Sequence, residues 1–444
     1  MNGKYYILTL GCQMNKNDSE RIKTILNNMD FFEVKNYKQA DIYVINTCSV
    51  RKAAEDRVFG IIKNLREIKK KNKDFLVIIT GCMPGRDKDL KEYKKFYENV
   101  IDLYIPINEI YKISKLVKKH YKKVKYTLNY EDYLDLEATR EEKFRAFVPI
   151  INGCNNFCSY CAVPYARGRE KSRNFKAVME EVIDLKERNY KEITLLGQNV
   201  NSFNPIDLNE SKSKDDPYSH PFACLLWEVN KIGIPRIYFT SSHPKDMSDE
   251  VIDALKLENM GNYIHLAIQS GSDDILEGMN RKYSVENYLD KINKIRKINP
   301  EIAIGTDVIV GFPGETEEDF QKTCDIYKKV KFDIAYPAIY SDRSGTVAFD
   351  MPENIKIDNI TKKERRDALQ KIMEDITLEK NKKYLNKNLS VLVDGRDGDY
   401  LKGNSKELKI VKFKGGDDLI GEIVNINIRK IQTWNLYGEL IKDN

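Results

Sequence analysis

The chain has 444 residues, 41% hydrophobic and 32% charged, enough for two or three domains with a real core. Its formal net charge of +6, from 74 Lys and Arg against 68 Asp and Glu, is compatible with a nucleic-acid partner without requiring one. No apolar run nears the roughly twenty residues of a bilayer span, the start lacks a signal-peptide pattern, and eight Cys in so long a chain are no disulfide framework, so a cytoplasmic protein with ligating or catalytic cysteines is expected.

To about residue 140, short apolar runs alternate with charged helical stretches, the pattern of an open parallel α/β sheet. Tyr5–Leu10, Ile42–Asn46 and Leu76–Thr80 read as buried strands, and each ends one or two residues before a cysteine: Cys12, Cys48 and Cys82. Ligands of such sheets sit beyond the carboxyl ends of the strands. The three thiols are therefore expected to converge as the ligands of one cluster, although three unrelated buried thiols would share the spacing. A Lys- and Tyr-rich stretch turning acidic at Glu131–Asp135 reads as an exposed helix and a linker.

The next candidate strand, Phe147–Ile151, leads into Cys154, Cys158 and Cys161, spaced Cys-x3-Cys-x2-Cys with no fourth Cys nearby. Thiolates ligate iron–sulfur clusters, and three of them leave one iron of a cubane open to a small molecule. A structural zinc site wants four closed ligands, and none of the four His (His120, His220, His243, His265) is near the triplet. Five more strand-like runs follow: Glu192–Leu196, Arg236–Ser241, Tyr263–Ile268, Ala303–Val310 and Asp333–Ile339. Amphipathic stretches such as Val178–Arg188 and Val285–Ile298 lie between several of them, which suits an open partial (β/α)6 barrel with its chemistry at the strand C-terminal ends. Asn204–His220 reads as a surface insertion, and Cys224 and Cys324 as core thiols. Residues 355–383 are helical and charged. From Leu389 the chain is β-rich (Leu389–Val393, Leu408–Phe413, Leu419–Ile428, Trp434–Leu440), as in a small five-stranded barrel.

The cysteine loop resembles the signature of the radical S-adenosylmethionine (SAM) enzymes. Both trios together resemble the methylthiotransferase family over nearly the whole length. Supporting stretches are Gly11-Cys12-Gln13-Met14-Asn15 with Asp18-Ser19-Glu20, Asn46-Thr47-Cys48-Ser49-Val50-Arg51, Pro164-Tyr165-Ala166-Arg167-Gly168, Leu196-Gly197-Gln198-Asn199, Gln269-Ser270-Gly271-Ser272 and Asp307–Thr316. Met83-Pro84-Gly85-Arg86 departs from the family's usual continuation. The resemblance implies an N-terminal cluster domain (1–125), a linker (126–145), a radical SAM domain (146–380) and a TRAM domain (381–444).

It further implies two [4Fe-4S] clusters, one on Cys154, Cys158 and Cys161 that cleaves SAM to a 5′-deoxyadenosyl radical. The other, on Cys12, Cys48 and Cys82, would hold the sulfur, methylated by a second SAM. Tyr160 would lie beside the adenine, and Gly197, Gln198, Gln269, Ser270 and Asp307 would make further SAM contacts; Arg167 and Arg173 would meet phosphate or the SAM carboxylate, or form salt bridges. The segment Gly11–Glu20 resembles the branch that methylthiolates C2 of N6-dimethylallyladenosine in tRNA, 3′ of the anticodon. The branches acting on threonylcarbamoyladenosine or on a ribosomal-protein aspartate stay open, as does a non-catalytic iron–sulfur RNA-binding protein. Candidate RNA contacts of the TRAM barrel are Arg396, Lys412, Lys414, Arg429 and Trp434, with Lys402, Lys406, Lys430, Tyr400 and Phe413 beside them. The expected partners are tRNA and an unidentified electron donor, with no membrane; a monomer is expected.

Overall fold

The computed structural model describes residues 3–49, 52–87, 97–121, 124, 132–134 and 136–441. Val50 and Arg51 of the Asn46–Arg51 motif, and Glu131 and Asp135 of the linker, lie outside the described residues. By packing, the chain forms two compact units. One comprises Met1–Glu141, Ile151–Arg173 and Arg343–Phe349; the other comprises Glu142–Ile150, Asn174–Asp342 and Asp350–Asn444.

The first unit carries a five-stranded parallel sheet of β1 (Gly3–Thr9), β2 (Phe31–Glu33), β3 (Ile42–Thr47), β4 (Leu76–Gly81) and β5 (Leu103–Pro106) in the order β2-β1-β3-β4-β5. Strands covered on both faces read as continuous apolar runs, and β3 and β4 are buried at every position. Ile42, Val44 and Ile78 pack on one side with Ile22, Ile25 and Leu26 of the helix Gln13–Asn27. Tyr43, Ile45 and Ile79 pack on the other with Val58, Ile62 and Leu65 of the helix Lys52–Lys71. The alternation of each strand thus sets a doubly wound layer.

Strand β6 (Arg145–Pro149) opens the second unit, while the antiparallel pair β7 (Ile151–Asn152) and β8 (Lys171–Ser172) frames the cysteine loop in the first. The second unit continues with β9 (Glu192–Leu196), β10 (Arg236–Phe239), β11 (Tyr263–His265), β12 (Ala303–Val310) and β13 (Ile334–Ile339). Two parallel three-stranded sheets, β10-β9-β6 and β11-β12-β13, are joined by the bridges Ile237–Met260 and Ser242–Leu266, giving the expected open six-stranded array. The insertion Asn204–His220 holds a short helix, Leu208–Ser211, and Asp207 before it accepts the N–H groups of Phe175 and Lys176 at 2.7 and 3.0 Å, capping the helix Phe175–Glu187.

A closed barrel of β14 (Asn388–Asp397), β15 (Tyr400–Ser405), β16 (Ile410–Phe413), β17 (Ile423–Ile431) and β18 (Asn435–Leu440) ends the chain. It fastens onto the N-terminal ends of the parallel strands. Arg236, opening β10, donates to the carbonyls of Asn404 (2.7 Å) and Ser390 (2.8 Å), and Asn262, just before β11, donates to Glu407 at 2.9 Å. Lys409 pairs with Asp333, just before β13, at 3.4 Å. Among the described residues no helix is long and apolar enough to cross a membrane.

Candidate functional site

Cys12, Cys48 and Cys82 follow β1, β3 and β4, three neighbouring strands, so one sheet edge gathers them. The turns between strand and cysteine are glycines in the left-handed region, Gly11 at φ +121° and Gly81 at φ +98°. A Cβ on Gly11 would lie 2.8 Å from that of Cys48, so the close approach of these loops demands glycine. Asn46 donates to the Asn15 carbonyl (2.8 Å) and to Ser19 (3.0 Å), and Asn15 donates back to the Thr47 carbonyl at 2.8 Å. The Thr47 hydroxyl donates to the Thr80 carbonyl at 2.6 Å and accepts the Met83 N–H at 3.2 Å. These buried polar groups tie the three loops together. The Cys82 thiol is pushed up to about 11 by burial, opposed by the Arg167 charge and reinforced by Cys48 and Cys12, so the three sulfurs share one electrostatic neighbourhood.

The second trio sits on the loop between β7 and β8. The Cys154 N–H donates to the Gly168 carbonyl at 3.2 Å, the Cys161 N–H donates to the Cys158 carbonyl at 2.9 Å, and Phe157 takes φ +47° to turn the chain between them. The Arg169 guanidinium lies 4.4 Å from the Phe157 ring centroid, and the Phe157 ring meets Tyr165 edge-on. Cys154 and Cys158 are buried; Tyr160 and Cys161 are half-buried.

Both trios belong to the first unit, and a buried ion pair links their flanks. Arg167 closes the helix Val163–Arg167 that follows Cys161, and Asp18 lies on the helix Gln13–Asn27 that follows Cys12; the Arg167 Nη2 to Asp18 Oδ2 distance is 2.5 Å. Of the two outcomes expected for Arg167, the structure has the salt bridge. Arg167 also donates to Asn152 at 3.3 Å, and the Tyr133 hydroxyl donates to Asp18. Nothing in the sequence marks Asp18, Asn15 or Asn46 beyond their membership of the Gly11–Glu20 and Asn46–Arg51 stretches.

Gly197, Gln198, Gln269, Ser270 and Asp307 lie in the second unit, at or near the C-terminal ends of β9 and β11 and within β12. Gln269 adopts φ +73° and donates its N–H to the Asp307 carbonyl at 2.9 Å; the Ser270 hydroxyl accepts the Ser272 N–H at 3.2 Å. The Asp307 carboxylate pairs with His265 Nε2 at 2.9 Å, and His265 Nδ1 meets the Tyr263 hydroxyl at 3.1 Å. A lone His such as His265 gives no signal in sequence until a neighbouring strand, here β12, supplies its carboxylate. Cys224 and Cys324 are buried in the helices Pro221–Ile232 and Glu317–Val330, as core thiols should be.

On the terminal barrel, Arg396 pairs with Asp417, Lys412 with Asp397 at 2.8 Å and Arg429 with Glu439 at 3.0 Å, while Lys414 and Trp434 are exposed. One expectation is corrected here. Phe413 fills the barrel core with no exposed surface, because alternation along β16 turns it inward with Val411, and it offers no face for stacking.

Residues 148–326 match the Radical SAM superfamily, and residues 4–103 match the Uncharacterized protein family UPF0004. A tRNA-2-methylthio-N(6)-dimethylallyladenosine synthase from Thermoanaerobacter sp. (strain X514) is 43% identical over 455 residues, covering 99% of this chain and 93% of the relative. The chain belongs to the radical SAM methylthiotransferase family. Relatives of the same name from Alkaliphilus oremlandii (42% identity, 100% of this chain and 93% of the relative) and Clostridium tetani (40%, 98% and 96%) agree. This methylthiotransferase is therefore an enzyme, a transferase of the radical SAM class, and the class implies SAM and a [4Fe-4S] cluster. The solved radical SAM methyltransferase TsrM from Kitasatospora setae shares the fold, with a TM-score of 0.56 at 12% identity over 78% of this chain and 74% of that one.

The donor sets suit such a group. Each trio offers sulfur alone, and a cubane takes one thiolate on each of separate irons, whereas a structural zinc site closes four ligands on one ion.

Proposed function

We propose that this methylthiotransferase adds a methylthio group to C2 of N6-dimethylallyladenosine in tRNA, 3′ of the anticodon. Cys154, Cys158 and Cys161 would hold the cluster that binds SAM, with Tyr160, Gly197, Gln198, Gln269, Ser270 and Asp307 as the SAM-facing residues. Cys12, Cys48 and Cys82 would hold a second [4Fe-4S] cluster. When bound, these groups supply a carbon radical able to abstract an unactivated ring hydrogen and a sulfur to replace it. The chain's own contribution is arrangement: each trio offers three thiolates and leaves one iron for a small ligand. The observation that carries the reading is that both trios fall in one compact unit, their flanking helices joined by Asp18 and Arg167. The substrate follows the name of relatives that match 98–100% of the chain. Exposed Lys414 and Trp434, with Arg396, Lys412 and Arg429, are the proposed RNA contacts; the three arginine and lysine pairs noted above would exchange a carboxylate for phosphate.

Mass spectrometry of bulk tRNA nucleosides from a strain lacking the gene tests this. Loss of 2-methylthio-isopentenyladenosine with the unmodified precursor accumulating is expected; an unchanged level overturns the substrate. Reconstituted protein should carry about eight irons. Cys12→Ala should remove half of them and leave SAM cleavage to 5′-deoxyadenosine intact.

A further inference from the structure

We propose that Arg167 and Asp18 form a positioning pair that fixes the sulfur-bearing trio against the radical-generating loop. The inference rests on the two-cluster reading above. Asp18 has no exposed surface and Arg167 is 3% exposed. An ion pair so deeply buried is weak evidence of added stability, because desolvation offsets its attraction, so its presence calls for another reason.

Its place supplies one. The helix that starts after Cys12 presents Asp18, and the helix that starts after Cys161 ends on Arg167. The short helix Cys82–Arg86 packs on that same Arg167 helix: a Cβ on Gly85 would run into the Ala166 carbonyl oxygen, so only glycine allows the approach. Two of the three N-terminal cysteines are thus registered to the Cys154–Cys161 loop through Asp18, Gly85, Ala166 and Arg167. A guanidinium suits the post, since its rigid planar fork holds Asp18 at 2.5 Å and Asn152 at 3.3 Å from two separate nitrogens, a fixed spacing that an ammonium lacks.

The test uses Arg167→Met combined with Asp18→Leu, which removes both charges and strands neither, alongside Arg167→Lys. In a Cys154→Ala/Cys158→Ala/Cys161→Ala background, only the N-terminal trio can hold iron, about four per chain. With all six cysteines loaded and reduced, the spin–spin coupling that EPR reads between the two centres should be lost in the charge-free variant, with Arg167→Lys in between. With all six cysteines present, the charge-free variant should still cleave SAM. The ratio of 5′-deoxyadenosine to methylthiolated product should rise about tenfold as the radical and sulfur centres lose register. Full iron with unchanged coupling and an unmoved ratio overturns this inference alone. An absence of iron in the triple-cysteine background overturns the two-cluster reading, and this inference with it.

Discussion

Asn46 has no exposed surface and holds Asn15 and Ser19 through three hydrogen bonds, two donated at 2.8 and 3.0 Å and one accepted at 3.2 Å. Truncating it leaves buried partners unsatisfied, each worth about 1–3 kcal/mol. Asn46→Ala should therefore cost about 2–3 kcal/mol in denaturant unfolding of the iron-free protein and lower iron uptake at the Cys12 trio; a change under about 0.5 kcal/mol would mean the shell relaxes. His243 makes a separate prediction. Burial, then the Arg281 and Lys245 charges, push its pKa down from 6.5 to about 2, and its Nδ1 accepts the Lys245 N–H at 3.2 Å, so the ring is neutral in the fold. The folded value lies below the unfolded one, so the unfolded chain takes up the proton first. The stability His243 contributes is complete above about pH 6.5 and falls as pH drops toward the folded value, by up to about 1.4 kcal/mol per pH unit. Urea midpoints from pH 7 to 4 should decline less steeply in His243→Gln than in the parent; parallel curves would contradict the assignment.

Elements were legible where burial is two-sided. β3 and β4 are uninterrupted apolar runs, so their ends, and the cysteines just past them, could be read directly. The edge strands β2 and β5 have three and four residues and too few buried positions to stand out. β15 was missed for another reason: its outward Lys402 and Asn404 and its Gly403 look like a turn, yet Gly403 sits against the Leu392 carbonyl, where a side chain would not fit. The Asp18–Arg167 pair spans 149 residues, a separation no local pattern reports. Two glycines in helices test the packing argument. Gly85→Ala forces a methyl into the Ala166 backbone and should destabilise by about 1–3 kcal/mol. Gly60→Ala, in the helix Lys52–Lys71 with open space around it, should stabilise by about 0.5–1 kcal/mol. Thermal unfolding of the two variants should shift in opposite directions; equal shifts would sink the argument that contact, not helix propensity, governs Gly85.

The terminal barrel carries the proposed RNA contacts, so how it is held to the parallel strands decides whether those contacts stay in place. The fastening is polar. Arg236 has no exposed surface and donates to the Asn404 and Ser390 carbonyls; Arg145 bonds Glu192 at 2.6 Å and approaches Asp394 at 3.5 Å. Burial raises the pKa of Glu192, and the Arg145 and Arg236 charges pull against it. Arg236→Met removes one cation and orphans two barrel carbonyls, a loss of about 3–5 kcal/mol on the scale of broken buried pairs. It should appear as faster proteolysis between the helix Asn359–Asn381 and β14, with the parallel-strand unit still folded and SAM cleavage retained. Weaker tRNA binding should follow, since the proposed contacts travel with the barrel. If Arg236→Met left cleavage at that junction as slow as in the parent, the contacts of Asn262, Lys409 and Arg145 would be holding the barrel, and Arg236 would be serving only to offset Glu192.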